Sequence, residues 1–285
     1  MACGGAKVGR VRIALLDSGV GLLAAAAALR DLRPDADLVL TTDPDGMPWG
    51  PRSGDDVTGR TLGCARAALA YEPDALIVAC NTASVHALPR LRAELEPAVP
   101  VIGTVPAIKP AAASGGPVAI WATPATTGSA YQRGLIERFA DGVPVTEVAC
   151  PGLADAVDHG DLTAVESIVA DAARRTPPDV RALVLGCTHY ELVADAIRAA
   201  VPAALFGSAT AVAAQALRRA GAEPAPGGDA TGRLTVLRSG RLEPLPDVAL
   251  AYPQGRAIVV RGEPGGPGPD ESVVEGSGVS ASRTR

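Results

Sequence analysis

The chain has 285 residues, enough for one large domain or two small ones. Hydrophobic residues make up 47% and charged residues 20%, which supplies a buried core and excludes a mainly disordered chain. Lys+Arg 26 against Asp+Glu 31 gives a net charge of −5, and aromatics are only 3%. That balance carries neither a polyanion footprint nor a base-stacking platform, so no direct nucleic-acid binding is expected.

The N-terminal ten residues lack the apolar stretch of a secretory signal. No uncharged apolar run approaches the roughly 18 residues of a membrane span, so no membrane partner is expected. The five cysteines, Cys3, Cys64, Cys80, Cys150 and Cys187, are odd in number and widely spaced. They read as free thiols in a reducing, cytoplasmic setting and not as a disulfide framework.

In chain order, short apolar runs alternate with Ala-rich helical stretches, the pattern of an α/β protein with parallel strands. Residues 11–16 read as a strand that runs into Asp17-Ser18-Gly19-Val20-Gly21 and an Ala-rich helix. Residues 37–42 form a second strand, followed by turn-forming residues 43–54. Residues 75–79 are a third, uniformly apolar and so buried on both faces, and residues 99–103 a fourth. After Pro106 and Pro110 the pattern begins again, with strands at 118–121, 145–148, 182–185 and 203–206. A helix over 210–220 is expected to return to the first half. Residues 232–261 alternate weakly, as a hairpin would, and the Gly/Pro/Ser-rich stretch from 262 reads as a disordered tail. The expected division is a first α/β domain over 1–106, a second over 107–207, a return over 208–261 and a tail over 262–285.

The two halves are related to each other. Asp74-Ala-Leu-Ile-Val-Ala-Cys80-Asn-Thr matches Arg181-Ala-Leu-Val-Leu-Gly-Cys187-Thr-His, each an apolar strand delivering a cysteine before a polar pair. Internal duplication is the economical explanation. In parallel sheets, ligands bind at the carboxyl ends of strands, where Cys80 and Cys187 both fall. Either cysteine alone would more often be a small apolar residue closing a strand. Two at equivalent places of duplicated halves face one another across a shared cleft. Two opposed thiols suit racemisation, in which a base on one face takes the α-proton and an acid on the other returns one. A redox pair would use closer spacing, and zinc ligation by Cys80, Cys187 and His189 would need the cramped Cys187-Thr188-His189 step. A pyridoxal cofactor needs a lysine, and Lys7 and Lys109 are poorly placed to supply it.

Leu15-Leu16-Asp17-Ser18-Gly19-Val20-Gly21, Pro48-Trp49-Gly50, Val78-Ala79-Cys80-Asn81-Thr82-Ala83-Ser84 and Leu185-Gly186-Cys187-Thr188-His189-Tyr190 together resemble the signature segments of bacterial glutamate racemases. These belong to the cofactor-independent aspartate/glutamate racemase superfamily. The resemblance spans roughly residues 11–210 and implies two pseudo-symmetric, doubly wound parallel-sheet domains with the active site in the cleft between them. It implies Cys80 and Cys187 as the catalytic acid/bases, with Asp17 assisting beside Cys80 and His189 beside Cys187. Asp158 stands where the family has a glutamate. Ser18, Pro48, Trp49, Gly50, Asn81, Thr82, Thr123, Thr126 and Thr188, with Asp17 and His189, would contact a glutamate substrate. No metal or other cofactor is implied, the product would feed peptidoglycan precursors, and a homodimer is compatible.

Read without the resemblance, Asp17 and Ser18 suit a turn or cap, Asn81 and Thr82 suit helix capping, and Asp158 suits a solvated position. His86 reads as structural, and Cys3, Cys64 and Cys150 carry no functional case. The sequence also departs from the family. Asp43-Pro44-Asp45-Gly46-Met47 replaces a segment that carries arginine, Trp49 replaces a tyrosine, Leu22 a glycine, and Gly207 the acidic residue usual before Ser208. Alternatives are therefore a racemase of another amino acid, a hydantoin-type relative, or a non-catalytic regulatory paralogue such as a gyrase-binding one.

Overall fold

The computed structural model describes residues 10–259; the expected tail from 262 lies outside the described residues. The first half runs β1 (Arg12–Asp17), a 3-10 turn (Val20–Leu22), α1 (Leu23–Leu32), β2 (Asp37–Thr42), α2 (Gly54–Leu69), β3 (Ala75–Val78), α3 (Asn81–His86), α4 (Leu88–Leu95) and β4 (Val101–Gly103). The second runs α5 (Ile108–Ala113), β5 (Val118–Ala122), α6 (Ala130–Phe139), β6 (Val145–Ala149), α7 (Leu153–His159), α8 (Leu162–Arg175) and β7 (Ala182–Leu185). It closes with a 3-10 segment (Thr188–Val193), α9 (Ala194–Ala200) and β8 (Ala204–Phe206). All eight expected strands are present, with ends within two residues of those read from the sequence.

The duplication is visible in the sheets. The second sheet has strand order β6-β5-β7-β8, and the first contains the equivalent order β2-β1-β3-β4, parallel throughout. Alternate residues of each strand feed different cores, as the period-two geometry of a strand requires. Ile13 and Leu15 join Ala119 and Trp121 in one large core shared by both halves. Ala14 and Leu16 face the core beneath α2, α3 and α4, and Val118 and Ile120 face that beneath α5 and α6. Trp121, fully buried, donates its indole N–H to Thr176 Oγ1 at 2.9 Å, so its one polar atom is not stranded in the core.

The elements after β8 pack against the first half. Helix α10 (Ala209–Arg219) packs on α1, and β9 (Leu234–Arg238) extends the first sheet parallel to β2. The expectation for residues 232–261 needs correction. Only β9 and β10 (Arg241–Leu242) form the hairpin, whereas Asp247–Ala251 and α11 (Pro253–Ile258) are helical and α11 packs against α1.

Candidate active site

Cys80 and Cys187 each stand two residues beyond the end of equivalent strands, β3 and β7. Their backbones match as well, with φ/ψ of −139/123 and −139/137. The repeated strand–Cys–polar sequence thus delivers a repeated local geometry, and both cysteines line one cavity of about 340 Å³. Ser18, Pro48, Trp49, Gly50, Asn81, Thr82, Thr123, Thr126, Asp158, Thr188 and His189 line it too. Asp17 is wholly buried at the end of β1, behind this wall.

Asp17, His189 and Asp158 form a charged chain beside the thiols. His189 Nε2 lies 3.0 Å from Asp158 Oδ1, while Nδ1 lies 3.7 Å from Cys187 Sγ and 4.0 Å from Asp17 Oδ2. Burial works against a charged imidazole here, but Asp158, Asp17 and Cys187 overcome it and raise the His189 pKa well above 6.5. These neighbours favour the imidazolium, in which Nε2–H is donated to Asp158 and Nδ1–H is turned toward Cys187. Asp158 also accepts the Val20 N–H at 2.9 Å; burial pushes its pKa up, yet His189 and Val20 together hold it below the ordinary value. Its side chain is only 4% exposed, which overturns the reading of a solvated acid.

Asp17 behaves differently. Its Oδ1 accepts the Ser18 N–H at 2.7 Å, and among the described residues Oδ2 has no hydrogen-bond partner. Burial, opposed by His189 and reinforced by Asp158, lifts its pKa from 3.8 to about 6. Burial and the adjacent Asp17 charge in turn push the Cys80 thiol well above its usual range. The two cysteines thus sit in unlike electrostatic surroundings: a carboxylate beside Cys80, an imidazolium beside Cys187.

Several side chains do something other than their local sequence suggests. Cys80, not Asn81 or Thr82, is the N-cap residue of α3, and it makes no side-chain cap bond. Asn81 Nδ2 instead donates to Gly186 O at 2.6 Å, tying the two cysteine segments together, and among the described residues its Oδ1 has no partner. Trp49 lines the cavity, but its indole N–H is committed to Asp43 Oδ2 at 3.0 Å, and Arg60 holds the same oxygen at 3.1 Å. The indole N–H of Trp49 therefore points to Asp43 and away from the cavity. Thr123 and Thr126 hydroxyls stand 3.2 Å apart on the second half's rim.

Sequence reasoning missed Cys150 and Asp155, which also line the cavity. Cys150 is buried and its pKa is pushed up to about 12, so it serves as an inert wall. Asp155 could have been found, because it lies three residues before Asp158 on α7 and so on the same helix face.

The charged chain gives a direct expectation. Asp158→Asn keeps an acceptor for Nε2–H but removes the charge that favours the imidazolium, so the His189 titration should move down by more than about one pH unit. The chain has three histidines, so 15N spectra can follow His189 with His86 and His159 as references. The sign for stability follows from the raised folded-state value. Protonated His189 stabilises the wild type fully below about pH 6.5, and this is lost as pH rises through the folded pKa. The variant should lack that contribution, so the two proteins' unfolding free energies should converge at high pH.

Residues 21–216 match the family described as Asp/Glu/Hydantoin racemase. The chain is 38% identical over 192 residues to the glutamate racemase of Roseiflexus sp. (strain RS-1), covering 66% of this chain and 70% of that protein. Its fold superposes on the crystal structure of Escherichia coli glutamate racemase in complex with L-glutamate and activator UDP-MurNAc-ala. The TM-score is 0.71 at 29% identity, over 85% of this chain and 92% of that one. Glutamate racemase from Thermus thermophilus, in complex with β-chloro-D-alanine, gives a TM-score of 0.63 at 31% identity over 89% and 95%. With a duplicated α/β architecture, a cysteine at the same place in each half and matches of this extent, the chain belongs to the Asp/Glu/hydantoin racemase family.

Proposed function

We propose that this protein interconverts L- and D-glutamate without a cofactor, using Cys80 and Cys187 as the two acid/bases. The observation that carries the proposal is that both cysteines, delivered by equivalent strands in the same backbone conformation, line one cavity. His189 Nδ1 stands 3.7 Å from Cys187 Sγ, while burial and the Asp17 carboxylate favour the protonated thiol at Cys80. In one direction the Cys187 thiolate takes the α-proton, and the Cys80 thiol delivers its proton to the opposite face of the resulting carbanion. The reverse direction exchanges the roles. The Asp17 charge also makes a Cys80 thiolate the stronger base, which suits it to a weakly acidic C–H.

Among the described residues the cavity wall contains no lysine or arginine. A bound dicarboxylate would be held by the hydroxyls of Ser18, Thr82, Thr123, Thr126 and Thr188 and by Asn81. Donors fixed in place before the reaction suit the negative charge that develops on the α-carboxylate. In this reading the protein works in the cytoplasm and its D-glutamate supplies peptidoglycan precursors, with domains over 1–106 and 107–207 contributing one cysteine each. Among the described residues no helix is long and apolar enough to cross a membrane.

The test is incubation with D-glutamate and separately L-glutamate in D2O, following α-proton exchange together with optical rotation. Exchange with loss of rotation is the expected result; no exchange from either enantiomer overturns the proposal. A second reading, racemisation of a different amino acid, is favoured by Trp49, whose donor is held by Asp43. Exchange confined to another amino acid would establish it. Activity should survive EDTA and be lost on thiol alkylation, and loss in EDTA reversed by zinc would contradict the two-thiol chemistry.

A further inference from the structure

Glu191 lies just past His189 in the 3-10 segment, yet its partners are 17 and 18 residues away. Its Oε1 accepts the Ser208 N–H at 2.8 Å and the Ser208 hydroxyl at 3.0 Å, and both oxygens lie 3.3 Å from the Ala209 N–H. These are the groups at the start of α10, where main-chain N–H donors and the helix dipole favour an anion. Ser208, the local residue placed to cap that helix, makes no side-chain cap bond of its own. Instead its hydroxyl donates to Glu191.

What α10 touches gives this contact its reach. The helix packs on α1 and against β3 and β4, the sheet that carries Asp17 and Cys80. Glu191 belongs to the segment that carries Cys187, Thr188 and His189. The seam between them holds a gap of only about 10 Å³, lined by Gly21, Ala79, Thr104, Thr188, Glu191 and Ser208 among others. A Cβ on Gly207 would stand 2.4 Å from Glu191 Oε2, so the carboxylate occupies the space that a side chain at 207 would fill. Burial pushes the Glu191 pKa up, while the Ser208 and Ala209 donors resist this.

We propose that Glu191 is a positioning residue, whose carboxylate clamps the Cys187–His189 segment to the start of α10 and so holds the two cysteines in register. Its kinetic consequence rests on the racemase reading, but the register of Cys187 against His189 does not. Loss of the clamp leaves the Ser208 and Ala209 donors without their anion and lets the 3-10 segment shift. A displacement of about 1 Å at a reacting group is enough to cost 10- to 100-fold in rate.

The experiment measures iodoacetamide alkylation of Cys187 and Cys80 in the same sample by peptide mapping, beside kcat and KM for both glutamate enantiomers. Glu191→Ala should lower the Cys187-to-Cys80 alkylation ratio about fivefold or more and lower kcat about tenfold, with KM within about threefold. Glu191→Gln, which keeps the shape but not the charge, should fall between it and wild type and serves if the alanine variant does not fold. Adding Gly207→Asp to Glu191→Ala returns a carboxylate to the same gap from its other side, and should restore both readouts to within about threefold of wild type. An unchanged alkylation ratio in a folded Glu191 variant overturns the proposal, as does a double variant no better than the single one. If the wild type racemises no glutamate, the alkylation arm still decides the role of Glu191.

Discussion

Cys80→Ser and Cys187→Ser should each reduce racemisation by at least about a thousandfold while leaving the protein folded. A hydroxyl is too weak an acid and its alkoxide too costly to form, so each serine would remove one of the two proposed proton-transfer partners. General acid–base groups contribute about 10²–10⁴-fold, and a thousandfold loss corresponds to about 4 kcal/mol of barrier. Cys80 is almost fully buried and Cys187 half-buried, and serine is close to cysteine in size, so the unfolding free energy should change by no more than about 1–2 kcal/mol. The two variants should also be complementary in D2O. Each retains a single base able to reach one face of the substrate, so each should exchange the α-proton of one enantiomer only, and opposite ones. If both exchange the same enantiomer, the thiols do not flank the carbon; if either racemises normally, that cysteine is not a base.

The second large effect is expected from one methyl group. Gly21 lies in the 3-10 turn after β1, and a Cβ there would stand 2.4 Å from Asp17 Oδ2, 2.6 Å from His189 Nδ1 and 2.6 Å from Thr188 Oγ1. All three are side-chain ends, so the backbone can accept the substitution, but each belongs to the charged chain or the cavity wall. Gly21→Ala must therefore wedge Asp17 and His189 apart. Overpacking of this kind costs about 1–3 kcal/mol of stability. The functional loss should be larger in proportion, about 100-fold in kcat/KM, because the groups that flank the two thiols are displaced. Urea unfolding gives the first quantity and steady-state kinetics the second. A Gly21→Ala protein with wild-type kcat/KM would mean that the packing of Asp17 against His189 is not needed for catalysis.

Much of this arrangement was legible in the sequence because strands β1, β3, β5 and β7 are continuous apolar runs, each ending in small or polar residues. Parallel strands buried on both faces leave that signature whatever the rest of the chain does. The matched segments around Cys80 and Cys187 point to the cavity that both line, since equivalent strand ends in a duplicated fold converge. Other features depend on contacts that no local window contains. Asp158, followed by His159, looks solvated until Val20 and His189 close over it from 138 and 31 residues away. Glu191 looks like an ordinary acid in a helical turn until α10 brings its N-terminus alongside. Residues 247–258 share the weak alternation of the hairpin, and over short elements that pattern does not separate a two-residue strand from a helical turn.

The unequal surroundings of the two sulfurs have a consequence that thermodynamics makes compulsory for the proposed reaction. Mirror-image amino acids in free solution have the same free energy, so the specificity constants for the two hands must be identical at every pH. A carboxylate beside one sulfur and a histidine beside the other should nevertheless give the two directions different turnover numbers. Any advantage gained in the speed of one direction must then be cancelled by weaker apparent affinity for that hand. Under saturating conditions the enzyme would look biased, and at trace concentrations perfectly even-handed.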